Sequence, residues 1–291
     1  MDRQERINVF LDTVKSVFQG HYTNPQGKKV IIPKEDANGL TIENSTLYSK
    51  EINVNAIPPK YDETIIEVVN DDSFYAAKKL IDDGYIPAVL NMASAMKPGG
   101  GVTNGSAAQE EDLCRRSNLF EALFKYSDEK ARDFGLTPDD KQYPMDWNYG
   151  CVYTPAVAVI KNGRDKNYSY LDKPFMVDVI SVAAIKNPDI ENGKLTEPVK
   201  RILKNKIRTI LNAGIFWEND SLVLGAFGCG AFRTPPDLMT ELFKEVLSEP
   251  TYKHRFEKVV FAILDDGNSH KEHNPEGNLI PFERAFKDFK I

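Results

Sequence analysis

The stretch IPAVLNMASAMKPGGG, residues 86–101, decides the fold. Its first half, IPAVLNMA (86–93), is an apolar run of strand length, bounded by turn residues. Its second half ends on Gly99, Gly100 and Gly101; seven residues later Gln109, Glu110, Glu111 and Asp112 open a helical pattern with apolar positions Leu113, Phe120, Leu123 and Phe124. Strand, glycine loop, helix is the repeating unit of an α/β protein.

The same alternation extends in both directions. TIIEVVN (64–70) reads as a buried strand, and DDSFYAAKKLIDDG as a helix capped by Asp71 or Asp72 and closed by Gly84. Residues 130–175, rich in Tyr, Pro, Asp and Asn, read as a long surface excursion, with strands at 152–160 and 175–184. A helix over 196–214 follows, then a strand entering a glycine turn, SLVLGAFGCGAF (221–232). A helix over 235–250 with proline at its start, a strand over 258–266 and a short helix over 281–290 complete the chain. Strands that are apolar throughout imply a mixed or mostly parallel sheet with helices on both faces. At the N-terminus, Ile7, Phe10, Leu11, Val14 and Val17 mark an amphipathic helix over 3–18, followed by a loop and hairpin. The expected organisation is an N-terminal helical extension, 1–60, packed on an α/β domain, 61–291, that forms a single structural unit.

Composition narrows the partners. Apolar residues at 41% and charged residues at 27% describe a globular chain, and a net charge of -6 excludes a broad basic surface for nucleic acid. An anionic ligand must then be held locally. Three cysteines, Cys114, Cys151 and Cys229, are odd in number and unpaired in spacing, which fits a reducing compartment. The N-terminus lacks the apolar core of a signal peptide, and no segment reaches the about 18–20 apolar residues of a membrane span. These features point to the cytoplasm and to no membrane partner.

Two glycine-rich loops follow buried strands, PGGGVTNG (98–105) and GAFGCGAF (225–232), where open α/β sheets bind ligands. Glycine admits close approach, and N–H groups at a helix start attract anions. Neither loop has the spacing of a Walker motif or of a dinucleotide fingerprint. One such loop is as readily a plain tight turn; two suggest a ligand gripped from two sides, such as a diphosphate with a sugar. Acidic residues in a first helical turn ordinarily just complement the helix dipole. Here they stand one short loop from the triple glycine, and Gln109 adds an amide suited to sugar hydroxyls. Other features favour ordinary readings. His270 and His273, with Asp265, Asp266 and Glu272, lie in a polar surface loop rather than a metal site. Cys229 reads as a small residue in a turn, and Arg115 and Arg116 as a solvated face.

The triple glycine, seven residues, then Gln-Glu-Glu resembles the signature of poly(ADP-ribose) glycohydrolases, and LGAFGCGAFRTPP (224–236) resembles the diphosphate loop of the bacterial-type members. NVFLDTVKSVFQGHY, VLNMASAMKPGGG, FMVDVISVAA and VVFAILDD are similar to segments of that type, so the likeness spans nearly the whole chain. It implies a macrodomain-like fold and hydrolysis of ribose–ribose O-glycosidic bonds, with ADP-ribose polymers or ADP-ribosylated macromolecules as substrate and ADP-ribose as product. No cofactor and no metal are implied. By this resemblance Glu111 is the catalytic acid, and Glu110 and Gln109 serve the ribose. Gly99, Gly100 and Gly101 approach ribose and phosphate, and Gly228, Cys229, Gly230, Ala231 and Phe232 wrap the diphosphate, with Phe232 against ribose or adenine. Ser94 falls where other branches carry an Asn. Asp72 sits where macrodomains often contact adenine, and a plain helix cap explains it as well. Removal of single ADP-ribose groups from protein or nucleic acid, and binding without hydrolysis, are the alternatives.

Overall fold

The computed structural model describes every residue except 266 and 268. In chain order its elements are α1 (Arg3–Gln19), β1 (His21–Thr23), β2 (Lys29–Ile31), β3 (Thr46–Tyr48), β4 (Ile65–Val69), α2 (Ser73–Asp82), β5 (Pro87–Met92), α3 (Gln109–Arg116), α4 (Leu119–Phe124) and α5 (Asp128–Asp133). There follow β6 (Cys151–Lys161), β7 (Tyr170–Val182), β8 (Ile190–Glu191), β9 (Lys194–Leu195), α6 (Glu197–Phe216), β10 (Ser221–Leu224), α7 (Pro236–Leu247), β11 (Lys258–Ala262) and α8 (Leu279–Phe286). The fold is mixed α/β, with a mostly parallel principal sheet of seven strands flanked by helices. The chain divides into two compact units, each built from separate stretches of sequence.

The first unit comprises Met1–Leu47, Ala93–Met145 and Val152–Ser181. Its core is a group of phenylalanine rings, with Phe10 of α1 edge-on to Phe120 and Phe124 of α4, and Phe134 closing the group. Helix α1 begins with a capping box between Asp2 and Glu5 and ends at Gly20 in the left-handed conformation. Its inward face keeps most of the apolar stripe expected from the sequence, with Phe10 buried and Ile7, Val14 and Val17 half-buried, but it also takes in Thr13 and Ser16 and leaves Leu11 half exposed. The polar pair can lie inside because Thr13 Oγ1 donates to the Arg115 carbonyl, and Ser16 Oγ bonds the Tyr170 hydroxyl at 2.6 Å. Lys161 is likewise satisfied by Asp12 at 2.8 Å and the Val9 carbonyl at 3.0 Å.

Two sequence expectations fail in this unit. The helix opened by Gln109 stops at Arg116, because Ser117 adopts extended backbone and bridges Val159; a separate helix, α4, restarts at Leu119. Strand β6, inside the stretch read as a surface excursion, is buried along all of its length. The strand itself is expected from the sequence at 152–160; the tyrosines and asparagines around it hide its burial.

The second unit comprises Tyr48–Met92, Asp146–Cys151 and Val182–Ile291. Four of its strands pair in parallel in the order β5, β10, β11, β4, with Val223 opposite both Val89 and Val260. β10 is buried at every position and β4 only in part. Phe243, Phe261, Phe282 and Phe286 from α7, β11 and α8 pack ring on ring. Asp72 Oδ1 caps α2 by accepting from the N–H groups of Phe74 and Tyr75. That contact accounts for Asp72 as a helix cap.

Candidate active site

Four backbone N–H groups donate to the two carboxylates in the first turn of α3, and two of them, those of Gly99 and Gly101, belong to the triple-glycine loop. Glu110 accepts from Ser94 at 2.8 Å and from Gly99 at 3.0 Å. Glu111 accepts from Gly101 at 2.8 Å and from Ala108 at 2.9 Å. Each carboxylate oxygen therefore has one fixed partner, and the two acids are locked side by side. The loop needs glycine for this: a Cβ on Gly100, which lies at φ +56, would fall 2.2 Å from Glu111 Oε1 and 3.0 Å from Glu110 Oε2.

Burial distinguishes the acids. Glu110 is only 3% exposed, and burial pushes its carboxyl up to about 8 against the pull of the Ser94 N–H. The charge of Glu111 adds to the rise; Lys130 and the Gly99 N–H oppose it. Glu111, 7% exposed, stands at the more open end of the pair. Ser94, whose place in the sequence suggested a sugar contact, turns its hydroxyl to the N–H groups of Met96 and Lys97 at 3.3 and 3.1 Å. Its side chain shapes the loop and its backbone holds Glu110. Gln109 is the first residue of α3 and half-buried.

Elements distant in sequence hold this loop. Arg3 and Arg6 of α1 donate to the carbonyls of Asn104 and Gly105 at 2.6 Å each, and Arg115 to those of Arg6 and Ser106. Gly105 lies so close to α1 that a Cβ there would meet the Arg3 carbonyl at 2.4 Å. Arg115 and Arg116, read from the sequence as a solvated face, are both buried; Arg116 pairs with Asp112 at 3.0 Å. The charged α3 lies inside because its arginines find backbone carbonyls and a carboxylate there.

In the second unit, Gly228 takes φ +76, and a Cβ would press on Ala184 and Thr234. Cys229 is fully buried: its N–H donates to Ala226 and its thiol faces the Phe227 carbonyl, so neither is presented outward. Burial also raises that thiol's pKa, which disfavours a nucleophile. Gly230 and Phe232 are half-buried and Ala231 is exposed. The Phe232 carbonyl accepts from Asn187 at 2.8 Å. His273, which the sequence placed in a surface loop, braces the turn through a 2.8 Å bond between Nε2 and the Cys229 carbonyl. His270 bonds the Pro275 carbonyl, Asp266 lies outside the described residues, and no metal-binding group occurs among the described residues.

The catalytic-domain model of microbial-type PARG, poly(ADP-ribose) glycohydrolase, matches residues 11–162, just over half of the chain. The chain belongs to this family. The match takes in the triple glycine, both glutamates and the buried strand β6. Among solved structures, the poly(ADP-ribose) glycohydrolase of Thermomonospora curvata bound to the inhibitor ADP-HPD aligns with a TM-score of 0.75 at 27% identity, covering 98% of this chain and 100% of that one. The Deinococcus radiodurans enzyme in complex with ADP-ribose aligns with a TM-score of 0.63 at 27% identity, over 84% and 95%. No curated protein matches the sequence. Family membership makes the chain a poly(ADP-ribose) glycohydrolase, a glycoside hydrolase acting on ADP-ribose polymers.

The sequence thus marked Gly99, Gly100, Gly101, Glu110 and Glu111 as neighbours, and the structure brings them together. It gives Ser94, Asp72 and Cys229 architectural contacts. Lys130 escaped sequence reading, and His273 reads there only as a surface-loop residue, since each acts on a loop far along the chain.

Proposed function

We propose that Glu111 is the acid and base of the hydrolysis. The carrying observation is the carboxylate pair clamped by the glycine loop. Glu111 is the more exposed of the two, and its direction is fixed by Gly101 and Ala108. It would protonate the leaving ribose oxygen, an oxocarbenium-like species would form, and the carboxylate would then activate water. Glu110, more deeply buried, would orient Glu111 and accept from a ribose hydroxyl, with Gln109 beside it. Gly99–Gly101 admit the ribose and its phosphate. The turn at Gly228–Phe232 would take the diphosphate through N–H groups after Cys229, and Phe232 would pack on ribose or adenine.

Support for ADP-ribose as ligand comes from the family relatives, one solved with ADP-ribose and one with the inhibitor ADP-HPD. No helix among the described residues is long and apolar enough to cross a membrane, and all three cysteines are free and buried, which supports work in the cytoplasm. The test measures ADP-ribose release from poly(ADP-ribose) by the parent and by Glu111→Gln, with calorimetric binding of ADP-ribose to both. Release lost by at least a hundredfold at retained binding is expected. Substantial release by the variant would remove Glu111 from the acid role, and binding without release by the parent would turn attention to single ADP-ribosyl links.

A further inference from the structure

Behind the triple-glycine loop lies a cation that no motif announces. Lys130, on α5, is half-buried with its Nζ 4.5 Å from the centroid of the Phe124 ring. The same Nζ donates to the carbonyl of Pro98 at 2.6 Å and to that of Gly100 at 3.1 Å.

Those two carbonyls have a particular significance. The peptide unit that carries the Pro98 oxygen also carries the Gly99 N–H, which donates to Glu110. The unit that carries the Gly100 oxygen also carries the Gly101 N–H, which donates to Glu111. Both bonds are trans, so within each planar unit the oxygen and the N–H point opposite ways. Fixing the oxygen end fixes the direction of the N–H. A positive charge at the oxygen end also polarises the amide so that its N–H donates more strongly. One ammonium group, with three donors on a single atom, can reach both oxygens; a planar guanidinium presents its donors differently.

We propose that Lys130 is a positioning residue for the hydrolysis: through two loop peptides it sets the direction and hydrogen bonding of Glu110 and Glu111 together, without touching substrate. This rests on the glycohydrolase reading above. Lys130 acts on the reaction more than on ligand affinity, because its two contacts lead through the Gly99 and Gly101 N–H groups to the carboxylates, and none leads to the turn at Gly228–Phe232 that would take the diphosphate.

The experiment compares the full-length parent with Lys130→Met and Lys130→Arg. It reads kcat and KM for ADP-ribose release from poly(ADP-ribose), ADP-ribose affinity by calorimetry, and thermal melting. Lys130→Met is expected to lower kcat at least tenfold, with ADP-ribose affinity within threefold of the parent. Lys130→Arg, which keeps the charge but displaces the donors, is expected to fall between the two. A kcat within twofold of the parent in folded Lys130→Met overturns the proposal. So does a fall in affinity equal to the fall in kcat. If Lys130→Met does not fold, Lys130→Arg decides by the same criterion. If neither folds, the lysine is an element of stability only and the proposal is lost. A parent that releases no ADP-ribose removes the glycohydrolase reading and this inference with it; an active parent with unchanged variants removes this inference alone.

Discussion

Glu110 carries the sharpest consequence at the scale of single residues. Its carboxyl is raised from 4.5 to about 8, chiefly by burial, so the fold prefers its protonated form. A raised value in the folded state contributes stability at low pH, and that contribution disappears as pH climbs toward about 8. Parent melting temperature should therefore drop more between pH 5 and pH 9 than that of Glu110→Gln, which cannot titrate. Parallel melting curves across that range would show that Glu110 titrates near its ordinary value. The neighbouring glycines were legible in the sequence as a loop. Their obligatory character was not, because the collision of a Gly100 Cβ with two carboxylates needs coordinates from residues ten and eleven positions away.

At the scale of elements, α1 is a clamp on the loop between the glycines and the acids. Arg6 spans from the Met1 carbonyl at 2.9 Å to the Gly105 carbonyl at 2.6 Å. Replacing it with Met removes two charge-assisted bonds, one of them to an otherwise exposed helix start, for a cost of about 1–2 kcal/mol. Loop 102–108 should loosen, and ADP-ribose release should fall several-fold with a melting temperature lowered by a few degrees. Unchanged release in Arg6→Met would mean that Arg3 and Arg115 hold the loop without it. The helices and strands themselves were largely readable, since apolar period and capping residues are local. Their interruptions were not: α3 ends at Arg116 because Ser117 pairs with Val159, a partner more than forty residues on.

For the whole molecule, ligand linkage gives the broadest check. A ligand that binds only the folded chain stabilises it by about 2.7 kcal/mol at a hundred times its Kd. For a chain of 291 residues that corresponds to a rise in melting temperature of about 4 °C. ADP-ribose should produce this rise, and adenosine alone a smaller one, because the diphosphate loop would stay empty. No rise with ADP-ribose up to millimolar concentration would contradict the proposed ligand.

The sequence by itself determined the α/β alternation, the two glycine loops at strand ends and the Gln109–Glu111 run, because each is written in residues near one another along the chain. Only the tertiary structure decided that Thr13 and Ser16 share the buried face of α1, why Arg115 and Arg116 lie inside, and that Lys130 and His273 hold loops 30 and 44 residues away. The physical reason is the same in each case. Partners that satisfy its polar atoms are what make burying a polar side chain tolerable, and those partners are set by folding rather than by proximity in sequence.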